Sequence, residues 1–221
     1  MANAEVKTNQ PAGQQDDFMK YGKIGAIILI ALIVIIGGYF AYDSLVRKPN
    51  QEKAAAAMWK AEQLYRLDSA ALALNGDGSS LGFLNIISKY SGTPAANLAK
   101  FYAGSCYMKL GEYENAIKYL KDFSTGDKLL MVRTYGLIGD AYAEQGKNAD
   151  AADYYKKAGT YYEEDNFNSP EYLFRAALMY QDLNKKAEAI SMFKIIKDKY
   201  PTSQYGRDIE KYLARLGEFE N

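Results

Sequence analysis

Apolar positions along this chain fall into two regimes. From Ile24 to Ala41 they are nearly continuous: "IGAIILIALIVIIGGYFA" runs 18 residues without a charge. At about 1.5 Å per helical residue this is about 27 Å, close to the ~30 Å of a bilayer core. The pattern predicts a membrane-spanning helix over 24–42. Tyr39, Phe40 and Tyr42 sit at one end, where interfacial aromatics belong, and Lys20, Lys23, Arg47 and Lys48 flank the run. Beyond residue 50 the apolar residues break into shorter helical stretches that recur.

A cleaved signal peptide has a shorter apolar region nearer the start, and 23 mostly polar residues precede this one. A lipoprotein signal needs a cysteine at the end of the apolar run, and the single cysteine, Cys106, is far away. Residues 1–23 read as a disordered tail and 43–50 as a linker. Lys7, Lys20 and Lys23 precede the span and Arg47, Lys48, Lys53 and Lys60 follow it, so charge leaves both orientations open.

The recurrence is clearest at glycine. Gly111 and Gly146 lie 35 positions apart, as do Gly104 and Gly139, Tyr107 and Tyr142, Ala116 and Ala151, and Leu120 and Tyr155. A third register follows at 38, with Ala177, Tyr180, Ala189 and Phe193, and with Asn184 in the glycine slot. A period in the mid-thirties predicts stacked helical hairpins. Glycine, and at some cost asparagine, takes the left-handed conformation that ends the first helix of each hairpin.

"GSCYMKLGEYENAIKYL", "GDAYAEQGKNADAADYY" and "ALMYQDLNKKAEAISMF" resemble the tetratricopeptide repeat. Pro201 stands where that repeat closes. The slot that often holds tryptophan carries Lys100, Tyr135 and Leu173, and the second-helix aromatic survives only as Tyr113, with Asn148 and Lys186 elsewhere. The resemblance implies a right-handed superhelix of hairpins, which with the transmembrane helix read from the apolar run makes an all-α fold. Three units are expected at about 97–128, 132–163 and 170–201, within 95–201. Residues 51–94 read as a divergent first hairpin: a long helix after Pro49 with Asn50 as its cap, "NGDGSS" as the turn, and "LGFLNIISKY" as the second helix. Residues 202–221 read as a capping helix with Tyr205, Ile209, Tyr212, Leu213 and Leu216 on one face.

In the tetratricopeptide family, peptides lie in a groove lined by the first helix of each hairpin. Carried over, the lining is Leu98, Phe101, Ser105 and Met108; then Arg133, Gly136, Asp140 and Ala143; then Phe174, Leu178 and Gln181. Phe101 and Ser105 hold the slots of the lysine–asparagine clamp some members use for a carboxylate. The face is therefore expected to suit an extended or unfolded segment rather than a charged tail.

Composition narrows the chemistry. Lys plus Arg and Asp plus Glu are each 27, and a neutral chain argues against nucleic acid. There is no histidine, which removes the commonest general base and metal ligand. No catalytic constellation, cofactor motif or small-molecule site is expected, and Cys106 reads as a buried inert thiol. In the Tyr154–Tyr155 and Tyr161–Tyr162 pairs, one ring of each is expected outside the core. The 160–169 insertion, with Glu163, Glu164, Asp165 and Phe167, reads either as a solvated loop or as an acidic-aromatic contact site.

The expected function is therefore non-enzymatic: a single-pass bacterial inner-membrane protein binding proteins or unfolded polypeptides. Its layout resembles the YfgM-like translocon-associated proteins, which implies translocon subunits as partners and a periplasmic repeat domain. The alternative is an assembly scaffold for outer-membrane biogenesis or a division-associated envelope complex.

Overall fold

The computed structural model describes residues 12–219, with side chains from residue 24 onward. It is helical throughout and divides into two compact units, Met1–Asn50 and Gln51–Asn221. In the first unit, α1 spans Ala12–Tyr42. The helix carrying the apolar run is long and apolar enough to cross a membrane, and its side chains are exposed. Residues 12–23, expected as disordered tail, are helical, while 1–11 of that tail lie outside the described residues. Extending a helix from an existing nucleus costs far less than starting one.

The expected linker over 43–50 is helical as well. A π turn, Asp43–Arg47, leads directly into α2 (Lys48–Arg66). Pro49 lacks an N–H and cannot serve a carbonyl four residues back. One residue earlier, the Lys48 N–H reaches five back to the Asp43 carbonyl, so the backbone widens instead of breaking. Asn50 is inside the helix rather than its cap.

In the second unit ten helices pack in sequence, counting α2. They are α3 (Ala70–Asn75), α4 (Phe83–Lys89), α5 (Pro94–Lys109), α6 (Tyr113–Lys121), α7 (Lys128–Glu144), α8 (Asn148–Tyr161), α9 (Asn168–Asp182), α10 (Lys186–Lys199) and α11 (Ile209–Arg215). The hairpins α5–α6, α7–α8 and α9–α10 follow the period read from the sequence. Thr93 and Asp127 cap α5 and α7 by accepting the N–H groups of Ala96 and Leu130.

Each first helix ends in the same hydrogen-bonded turn. Gly111, Gly146 and Asn184 have φ of 74°, 69° and 58°. The next N–H donates to the packing tyrosine's carbonyl: Glu112 to Tyr107, Lys147 to Tyr142 and Lys185 to Tyr180, at 2.8–2.9 Å. Two further copies escape a search for glycine and tyrosine. Asp68 has φ 57°, and Ser69 donates to the Leu64 carbonyl; Gly217 has φ 75°, and Glu218 donates to that of Leu213.

The first hairpin therefore turns at Asp68 and not at "NGDGSS". Its Ala61 and Ala73, both fully buried, stand at the repeat's spacing from Leu64 and Asp68. "NGDGSS" instead splits the second helix into α3 and α4. There the Asp77 carboxylate accepts the N–H groups of Ser79 and Ser80. The turn escapes a search for the motif because Asp replaces Gly and Leu replaces Tyr.

Small residues decide how closely paired helices approach. A Cβ on Gly104 would lie 2.5 Å from Leu120, and one on Gly139 would lie 2.6 Å from the Tyr155 ring. Leu120, Tyr155 and Phe193 are buried, so the large member of each pair is the core of its hairpin. Cys106 is fully buried and burial pushes its thiol up to about 12, which matches the inert reading.

Gly111→Val is expected to destabilise the protein by about 2 kcal/mol, because a branched residue resists φ near +74°. Asn184→Gly is expected to stabilise it by up to about 1 kcal/mol at the equivalent turn. Denaturant unfolding of the full-length protein in detergent, followed by circular dichroism, checks both.

Candidate protein-binding surface

The residues carried over as a groove differ widely in exposure. Phe101 is buried, its ring 5.6 Å from Phe123 and 5.7 Å from Tyr102, and Ser105 is buried with its hydroxyl donating to the Phe101 carbonyl. Leu98 and Met108 are half-buried against the same cores. Phe174 lies among Phe193, Tyr205 and Tyr212, with centroids 4.9–5.8 Å away. These burials have one cause. A residue at a groove position opens to solvent only where the neighbouring helix leaves space, and here Phe123 and the segment after α10 fill it.

Gly136 is covered by Tyr172, whose ring would lie 2.2 Å from an added Cβ. Asp140 is committed to a network: the Arg175 guanidinium pairs with its carboxylate at 2.5 Å, and the Tyr155 hydroxyl donates to it at 2.8 Å. Arg175 also donates to the Tyr155 hydroxyl, tying α7, α8 and α9 together. Ala143 and Gln181 are half-buried. Only Arg133 and Leu178 of the set are exposed.

The insertion between α8 and α9 is anchored. Asp165 is buried, accepting from the Phe167 and Asn168 N–H groups and the Asn168 side chain. Glu163 pairs with Lys199, and the Ser169 hydroxyl donates to the Tyr162 carbonyl. Phe167 projects, 81% exposed. Among the described residues no group of three or more Cys, Asp or Glu side chains is placed to hold a metal ion.

What the sequence reading missed is a tyrosine surface on α7 and α8. Tyr135 and Tyr142 are seven residues apart on α7, and Tyr154 and Tyr161 seven apart on α8, so each pair shares one helix face. Tyr142 lies 5.5 Å from Tyr154, Tyr154 lies 6.5 Å from Tyr135, and Tyr135 lies 5.3 Å from Tyr161. Lys121, at the end of α6, sits over Tyr142 and Tyr154 and donates to the Tyr142 hydroxyl at 2.7 Å. Tyr155 faces the core while Tyr154 joins this surface, and Tyr161 is exposed beside a half-buried Tyr162. The seven-residue spacing was readable in the sequence; the meeting of three helices was not.

Phe174→Ala is expected to cost about 3 kcal/mol and Leu178→Ala less than about 0.5 kcal/mol, since only the first ring is packed. Denaturant unfolding separates them. Alkaline pH probes the buried tyrosines. Burial, then Asp140, holds Tyr155 above its ordinary 10.0 and lifts Tyr172 to about 12; burial, then its hydrogen bond to Asp153, raises Tyr180. A raised folded-state value means stability is complete below pH ~10 and falls as pH climbs towards the folded values. Unfolding monitored from pH 8 to 12 should show this loss beginning near 10, and Tyr155→Phe should make it shallower.

Family models described as tetratricopeptide repeat match residues 98–125, 132–164 and 171–203. No curated protein matches the chain. The matched stretches coincide with α5–α6, α7–α8 and α9–α10, and mark these three hairpins as tetratricopeptide-type repeats within an all-α fold.

Proposed function

We propose that the protein is a membrane-anchored interaction module that holds other proteins near a bacterial inner membrane without catalysing a reaction on them. The observation that carries this reading is the pairing of tetratricopeptide-type hairpins, a fold that works by presenting surface to other proteins, with a helix of membrane-spanning length in the same chain. Exposed isoleucine, leucine and valine along that helix favour a lipid surrounding, because a soluble protein rarely leaves so large an apolar patch in water.

The finer reading is an accessory, chaperone-like subunit at the Sec translocon, with residues 50–221 in the periplasm. A tail, one span and a repeat domain are the layout of the YfgM-like proteins, and layout is its support. Without a lipoprotein cysteine the chain departs from the usual anchoring of outer-membrane assembly and division-associated scaffolds, which makes that the second reading.

Crosslinking in cells followed by affinity capture and mass spectrometry tests both. Translocon subunits are expected among the captured proteins; capture of outer-membrane assembly factors in their place would reverse the choice. Protease added to spheroplasts is expected to digest residues 50–221, and their protection would place the repeats in the cytoplasm.

A further inference from the structure

Three lysines on the tyrosine surface sit on rings rather than on carboxylates, as Lys118, Lys128 and Lys185 do singly elsewhere on the repeats. Lys100, Lys109, Lys194 and Lys199 each pair with a carboxylate, namely Asp122, Asp68, Glu218 and Glu163. Lys121, Lys147 and Lys157 are exposed, and among the described residues none is in an ion pair. Their ammonium groups rest on rings instead. Lys157 lies 4.1 Å from the Tyr135 centroid, Lys121 5.1 Å and Lys147 5.9 Å from that of Tyr142. A ring face attracts a cation without cancelling its charge. The result is a strip of three ammonium groups on half-exposed rings, none of them in an ion pair among the described residues.

The strip runs into a cleft. Lys147 and Gln145 help to line an open depression of about 540 Å³, shared with Glu112, Tyr113, Glu114 and Asn115, so its floor carries two carboxylates beside the one ammonium group. The side-chain oxygen and nitrogen of Gln145 are buried and have no hydrogen-bond partner among the described residues. Tyrosine is also the ring type enriched at protein interfaces, where its face packs and its hydroxyl stays hydrated.

We propose that Lys121, Lys147 and Lys157, set on Tyr135, Tyr142 and Tyr154, dock an acidic, extended peptide segment of a protein partner. Carboxylates of the segment pair with the ammonium groups and its apolar stems cover the rings. This assignment rests on the reading of the protein as an interaction module. It places binding on a face made by α6, α7 and α8 and not on the residues carried over as a groove.

The test uses the full-length protein in nanodiscs of neutral lipid and a fluorescent glutamate-rich peptide, with glutamine and lysine peptides of equal length. The glutamate peptide is expected to bind and the other two are not. The pair Lys121→Gln and Lys157→Gln should weaken binding about tenfold, as loss of two cation sites predicts. Lys53→Gln should leave it unchanged, and Lys121→Arg with Lys157→Arg should preserve it while circular dichroism shows every variant folded. Equal binding of the glutamate and glutamine peptides, or indifference to the paired glutamine variant, overturns the proposal. So does displacement of the peptide by phosphatidylglycerol vesicles that requires both lysines, since the strip would then be a lipid surface. A peptide failure with the crosslinked partners unchanged sinks the strip and leaves the module reading standing; an absence of crosslinked partners sinks the module reading itself.

Discussion

Close approach between a residue with little or no side chain and a large one on the following helix is the contact on which the repeats depend. Gly104 admits Leu120 and Gly139 admits Tyr155, each to a distance that a single added carbon would make impossible. In the third hairpin Ala177 and Phe193, both fully buried, hold the same slots. Packing of this density tolerates neither a void nor an extra methylene, so the pairing defines both the spacing and the register of the two helices. Everything on the outside, including which tyrosines face water, follows from that register.

The turns serve the same end. Each reverses the chain with a left-handed residue and returns a hydrogen bond to the carbonyl of the residue that packs at the end of the first helix. Packing position and turn are thereby coupled through one residue. Asp68 shows how much the tertiary structure can impose. Aspartate is a poorer left-handed residue than glycine, yet it takes that conformation here, with its carboxylate paired to Lys109 at 2.6 Å.

Between hairpins the contacts are polar as well as apolar. Asp140, Arg175 and Tyr155 bind three helices together near the position expected to meet a ligand. A charge pair at a partly buried junction contributes more to fixing one arrangement than to net stability. The side chains that remain available include lysines in no ion pair among the described residues. Lys121, Lys147 and Lys157 are of that kind, held by ring faces that position an ammonium and leave its field intact.

The repeat period, the glycine turns, the anchor-length helix and the identity of the small and large packing partners were all legible in the sequence. Each is a short-range rule: 3.6 residues per turn, a missing Cβ, a run without charge. The helical state of residues 12–23 and 43–50 was less legible, since polar composition reads as tail or linker while an adjoining helix propagates through it. Which of the side chains carried over as a groove reach solvent was not legible. Whether Phe101 and Phe174 open to solvent depends on Phe123, Tyr205 and Tyr212, which are distant in sequence from one or both. Likewise, spacing aligns Tyr135 with Tyr142 and Tyr154 with Tyr161, but only the packing of α6, α7 and α8 brings those rings under Lys121 and Lys157. Local chemistry determined the elements and their repeat; exposure is a property of neighbours, and only the tertiary structure decided it.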